Sequence, residues 1–213
     1  MDARSVRVKP YSEAYPLEYC SDSQSGLSML FVVAVTGASG SIYARRLLEE
    51  LKRGGHETLL LVSDEAKNVM NQENEDPRRF EELATRSFSE HDLDSPTSSG
   101  SVKTAGMIIV PCSMKTVSSI AHGLSDNAIT RAADVTLKEH RPLIIVPRET
   151  PLNTIQLRNL LHVAEAGAIV LPAMPAFYTK PKSIDDMVDF IVGRILDLVD
   201  VPHHLFRRWG ETT

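Results

Sequence analysis

The chain has 213 residues, 42% of them hydrophobic, enough for one domain with a substantial core. Its net charge of −5, with lysine and arginine scattered, argues against nucleic acid and against an anionic membrane surface as partners. No apolar run approaches the roughly 18 residues that span a bilayer, and Cys20 and Cys112 are too few for a disulfide framework, which points to a reducing cytosol.

Residues 1–28 mix Pro10, Pro16, serines and scattered charges without an apolar h-region, which excludes a secretory signal. Asp2, Glu13 and Glu18 speak against an organelle transit peptide. This stretch reads as an extension, flexible or wrapping a neighbour, ahead of one domain over 29–213.

The stretch Leu30–Tyr43, LFVVAVTGASGSIY, reads as a buried strand, a glycine turn and the first turn of a helix over Ser41–Lys52. Gly37 and Gly40 let the backbone turn sharply and approach a ligand, and Ser39 and Ser41 are candidate N-caps. Such a helix start suits a phosphate; a tight turn without ligand is the plain alternative. The glycines do not fit G-x-G-x-x-G, because Ser39 and Ile42 stand where its second and third glycines belong. A nicotinamide dinucleotide is therefore disfavoured against a phosphate-bearing mononucleotide.

His56–Val62 reads as a second strand ending at Ser63-Asp64, with Asp64 as a candidate cap for a helix over Glu65–Asn71. Asn71–Pro77 is an acidic surface connection, Arg78–Arg86 a helix, and Phe88–Ser101 a loop. Met107–Val110 is a third strand, followed by Pro111-Cys112-Ser113-Met114-Lys115-Thr116. Lys115 in a helix's first turn opposes the helix dipole, so it is either solvated or faces an anion. Cys112 reads as a small buried residue rather than a nucleophile.

Asp126–Glu139 is a helix capped by Asp126, with Arg131 and Lys138 seven apart on one face. Leu143–Val146 is a fourth strand, ending in Pro147-Arg148-Glu149-Thr150-Pro151. Open α/β sheets bind ligands outside the carboxyl ends of their strands; Arg148 and Glu149 lie there, as functional groups or as a surface ion pair. Asn153–Ala164 is a helix and Ala168–Leu171 a fifth strand, running into Pro172-Ala173-Met174-Pro175-Ala176-Phe177-Tyr178. Ser183–Val199 is the last helix, with Arg194 beside its apolar face, and His203-His204 reads as a surface pair. The histidines show no metal-ligand spacing, and no GxSxG elbow is present.

GASGSIY, PCSMKT, RAADVTLKEHRPL, PRETP and PAFYTKP, in this order, closely resemble the UbiX-type flavin prenyltransferases from about Leu30 to Trp209. The resemblance implies a flavodoxin-like (Rossmann-like) fold: a three-layer, doubly wound parallel sheet in one α/β domain. It implies a homododecamer built from trimers, and transfer of a dimethylallyl group from dimethylallyl monophosphate to reduced FMN, at N5 and C6, without a metal. The prenylated FMN would then serve a UbiD-type decarboxylase. By matching positions, FMN falls on Gly37, Ala38, Ser39, Ser63, Ser113, Met114, Lys115, Thr116 and Arg148. The prenyl phosphate falls near Ser39, Lys138, Glu149, Tyr178 and Arg194, with Trp209 lining the prenyl pocket. A dianionic leaving group calls for several cationic and hydroxyl donors, which Lys138, Arg194, Tyr178 and Ser39 supply. Glu149 beside Arg148 suits a proton shuttle. His140 departs from the arginine common at its position, outside the catalytic set. Two rival readings remain: an FMN-dependent cysteine-peptide decarboxylase, which would carry Asn where Pro175 stands, and a non-enzymatic FMN carrier, which would not need the second anion site.

Overall fold

Six strands pair in parallel in the computed structural model, which describes residues 28–210. They are β1 (Leu30–Val35), β2 (Glu57–Val62), β3 (Arg86–Ser89), β4 (Gly106–Cys112), β5 (Leu143–Pro147) and β6 (Ile169–Val170), in the order β3-β2-β1-β4-β5-β6. The order reverses between β1 and β4, the switch point where such sheets place their ligands. The reading of residues 1–28 falls outside the described residues except for Ser28.

Side-chain alternation along β1 explains the three layers. Phe31, Val33 and Val35 join one core with Leu47, Leu48 and Leu51 of α1 (Ser41–Arg53), Met70 of α2 (Asp64–Gln72), Phe80 of α3 (Pro77–Leu83) and Ile191 and Ile195 of α7 (Ile184–Asp197). Val32 and Ala34 join the other with Val117 of α4 (Met114–Ala121), Ile129 and Ala133 of α5 (Ala128–Lys138) and Val163 of α6 (Thr154–Glu165). Arg46 of α1 and Asp189 of α7 pair at 2.6 Å and tie these two helices together.

Several local expectations are corrected. The region expected to be a loop after Phe88 begins with the edge strand β3, whose RSFS sequence has one apolar residue and so carries no strand pattern; Phe88 packs on the second core. Without β3 the remaining five strands have the flavodoxin order. Ser63, not Asp64, caps α2 through Ala66 N–H, and Asn127, not Asp126, caps α5 in a capping box with Thr130. His203 is buried rather than on the surface: its Nε2 lies 3.0 Å from Asp197 Oδ1.

Asp197 ties the C-terminal segment to α7. It meets Arg194 at 3.1 Å, His203 at 3.0 Å and Arg208 at 2.7 Å. Burial works against its charged form, but the hydrogen bonds from Arg208 and His203 outweigh this and hold its carboxyl below the usual carboxylate range. A depressed carboxylate stabilises the fold above its unfolded-state pKa, and that contribution disappears as pH falls through the lower folded-state value. Asp197→Asn is therefore expected to cost about 2 kcal/mol at neutral pH and to reduce the acid-induced loss of stability. Urea melts at pH 7 and below pH 4 check both; equal pH dependence in mutant and wild type would contradict the role.

Candidate functional site

Every strand-to-helix turn opens on the edge where the strands end, and most of the residues expected to hold FMN meet there. Thr36 closes β1, and Gly37 follows at a point where a Cβ would come within 2.6 Å of Glu65 Cβ, so only glycine fits. Gly40 adopts φ 110°, which glycine alone adopts readily. Ser39 is exposed at the tip of this turn. Neither Ser39 nor Ser41 caps α1, contrary to expectation; Gly40 occupies the N-cap position without a side-chain bond. Glu73, from the connection after α2, does the capping. Its carboxylate accepts from Gly40 N–H at 2.7 Å, from Ser41 N–H at 2.9 Å and from the Ser41 hydroxyl. Burial raises the Glu73 carboxyl, but hydrogen bonds from Ser39, Ser41 and these amides outweigh it and keep it ionised below the usual range. Sequence reasoning missed Glu73 because an acid in an acidic connector carries no local signal.

The second turn follows β4. Ser113 caps α4, accepting from Thr116 N–H at 3.3 Å, and Met114 and Lys115 open the helix with free amide donors. Lys115 is exposed. Cys112 is fully buried and burial pushes its thiol far above the usual range, so it is no nucleophile. Ser63 is buried at the end of β2, its N–H donating to Val35 O at 3.1 Å. At the end of β5, the Arg148 N–H donates to Cys112 O at 3.3 Å. Arg148 Nε is buried and has no hydrogen-bond partner, while Glu149 is exposed and accepts from Thr150 N–H at 3.0 Å. No ion pair joins Arg148 to Glu149.

This edge fits FMN by the chemistry of its donors. Hydroxyls of Ser39 and Ser113, helix-start amides and the cation Lys115 suit a phosphate and polar flavin edges, and the orphaned Arg148 donor calls for an acceptor.

The other expected residues divide into two groups. Tyr178 packs edge-on to Trp209 at 5.0 Å and to Phe190 at 5.9 Å, and Arg194 lies nearby through Asp197, which also holds Arg208. Arg194 is exposed and lines a cavity of about 290 Å³ with Ile169, Val170, Met174 and Phe190 at the β6 edge. Lys138 ends α5, just before β5 begins, and pairs with Glu139 at 2.9 Å. It thus stands at the opposite edge of the sheet from Arg148, separated by the roughly 17 Å length of five strand residues. A single chain does not bring Lys138 to the FMN edge. Asp64, Glu90 and His91 do come together, yet Asp64 and His91 are exposed and pair at 3.0 Å, and Glu90 bonds to Asp64 N–H and Asn127, which accounts for their approach without an ion.

Known proteins share this fold and much of this sequence. The Flavoprotein family profile matches residues 21–196. The flavin prenyltransferase UbiX of Thermoplasma acidophilum is 52% identical over 182 residues, covering 85% of this chain and all of that protein. The crystal structure of AnUbiX (PadA1) in complex with FMN and dimethylallyl pyrophosphate matches with a TM-score of 0.85 at 44% identity, over 88% of this chain and 100% of that one. A dodecameric FMN-dependent UbiX-like decarboxylase from Escherichia coli O157:H7 matches with a TM-score of 0.83 at 42% identity, over 86% of this chain and 100% of that one. With this identity along most of its length, the chain belongs to the Flavoprotein family and, within it, to the UbiX flavin prenyltransferases.

Proposed function

We propose that the FMN edge and the anion-binding residues of neighbouring copies together join a dimethylallyl group to reduced FMN. The observation that carries this reading is the orphaned, buried Arg148 Nε beside the glycine and serine turns. FMN, when bound and reduced, supplies the electron-rich ring that is alkylated at N5 and C6. Gly37, Ala38, Ser39, Ser63, Ser113, Met114, Lys115, Thr116 and Arg148 bind and orient it. The Ser39 hydroxyl donates to the ionised Glu73, which leaves its lone pairs to accept a hydrogen bond at Oγ. Glu149, exposed and next to Arg148, takes up the proton released on ring closure and passes it towards the departing phosphate.

The prenyl phosphate is held by Lys138, Tyr178 and Arg194, with Trp209 walling off water from the prenyl chain. Because Lys138 stands at the far edge of its own sheet, a complete site draws it from another copy. A dodecamer like that of the Escherichia coli relative supplies such copies. The product serves a UbiD-type decarboxylase. Dimethylallyl monophosphate is the donor in this reading, whereas the AnUbiX structure holds the diphosphate. The cysteine-decarboxylase reading is set aside because Pro175 and Tyr178 stand where those enzymes carry a different loop. No helix among the described residues is long and apolar enough to cross a membrane; we place the protein in the cytosol, with residues 1–28 outside the catalytic unit.

Anaerobic incubation with reduced FMN and dimethylallyl monophosphate is expected to raise the flavin mass by one C5H8 unit; unmodified flavin would refute the reading. Glu149→Gln should leave FMN affinity intact and slow prenylation at least about tenfold, the scale of a lost acid–base group; single-turnover rates equal to wild type would remove Glu149. Ser39→Ala and Lys138→Ala should each lose about a hundredfold in rate. Co-expression of both variants should give mixed assemblies more active than either parent, and activity no higher than the parents would show that Lys138 does not act in another copy's site.

A further inference from the structure

We infer that Thr36 is a positioning residue for the flavin cradle: its buried hydroxyl fixes the β4–α4 turn against the β1–α1 turn at the switch point. This rests on the reading that the two turns hold FMN.

Thr36 is 2% exposed, the first polar residue after the buried run of β1. Its N–H and its hydroxyl both donate to Pro111 O, at 3.2 and 3.0 Å. The same hydroxyl oxygen accepts from Ser113 N–H at 2.7 Å. A hydroxyl has one hydrogen and two lone pairs, so this group bridges both sides of the Pro111–Ser113 segment at once. Two chains of contacts leave from it. On one side Thr36 O accepts from Ala38 N–H at 2.7 Å and sets the turn that presents Ser39. On the other, Ser113 is held in place, and its own hydroxyl meets Thr116 N–H and the Thr116 hydroxyl at 3.3 and 3.1 Å, fixing the first turn of α4 with Met114 and Lys115. Strand pairing between β1 and β4 spans Phe31–Ala34 with Gly106–Ile109 and stops short of these turns. Beyond it, this hydroxyl fixes the spacing between the two halves of the cradle. Valine would fill the same volume but leave the part-buried Ser113 N–H without that acceptor.

The test compares Thr36→Val with Thr36→Ser in the full-length protein, by FMN titration followed through flavin fluorescence and by thermal melting. Thr36→Val is expected to weaken FMN binding at least about tenfold, while Thr36→Ser, which keeps the hydroxyl, stays within about threefold of wild type. A merely structural role would lower the melting temperature in both variants and leave FMN affinity of the folded protein unmoved. The inference fails if Thr36→Val binds FMN like wild type, or if Thr36→Ser is equally impaired. Wild-type protein that binds no FMN would instead sink the underlying functional reading. Should Thr36→Val not fold, amide exchange in wild type decides: a protected Ser113 amide, further slowed by FMN, supports the inference, and an amide exchanging like an open loop overturns it.

Discussion

Parallel pairing of all six strands forces each β–α turn onto one edge of the sheet, where the helices present their unpaired first-turn amides. At the switch point between β1 and β4, α1 and α4 leave towards opposite faces, and a gap opens between two such helix starts. A flat ligand carrying a phosphate meets donors from both sides there. The glycines of the first turn follow from this crowding: the Cβ contact that excludes side chains at Gly37 comes from Glu65, the next helix over. Stability and site thus share one cause, since the packing that buries β1 on both faces also aims its turn at the ligand.

The amides of α1 find an internal anion in Glu73, whereas the α4 amides and Arg148 do not. This asymmetry has chemical content. The α1 start is already neutralised, so Ser39 sits in a turn held by a fixed carboxylate. The uncompensated positive character lies on the α4 and β5 side, with Lys115 and Arg148, and that is where a ligand's negative charge is best stabilised.

The buried strands β1, β2, β4 and β5 were legible as short β-branched runs, and the motifs at their ends gave the family and the residues proposed to hold FMN. What escaped the sequence was of three kinds. The edge strand β3 pairs through its backbone while its side chains, Arg86, Ser87 and Ser89, are polar, so its pairing leaves no trace in hydropathy. Glu73 and Thr36 act across 32 to 33 and 75 to 77 residues, where no local spacing could connect donor and acceptor. Lys138 was correctly set on a helix, but a linear motif does not say which edge of the sheet a helix end reaches. His203 looked like a surface histidine because its partners, Asp197 and Phe206, come from a packed tail rather than from a helix pattern.

The separation of Lys138 from Arg148 and the exposure of the Tyr178 cluster belong together. Met174, Phe177 and Trp209 are 68, 69 and 81% exposed around the two-residue strand β6, an apolar edge that costs free energy in water. In the proposed assembly, a second copy laid against this edge would remove that cost and close a dry wall beside the residues proposed to hold the phosphate. Electrostatic stabilisation of a leaving phosphate needs such water exclusion, because the same cations act weakly in bulk solvent. Arg194 illustrates this: its guanidinium is exposed, and among the described residues it pairs with Asp197. On the proposed reading, desolvating that edge while bringing a phosphate to it would give Arg194 a second anion when its hydration is lost, so that assembly and substrate binding would stabilise each other.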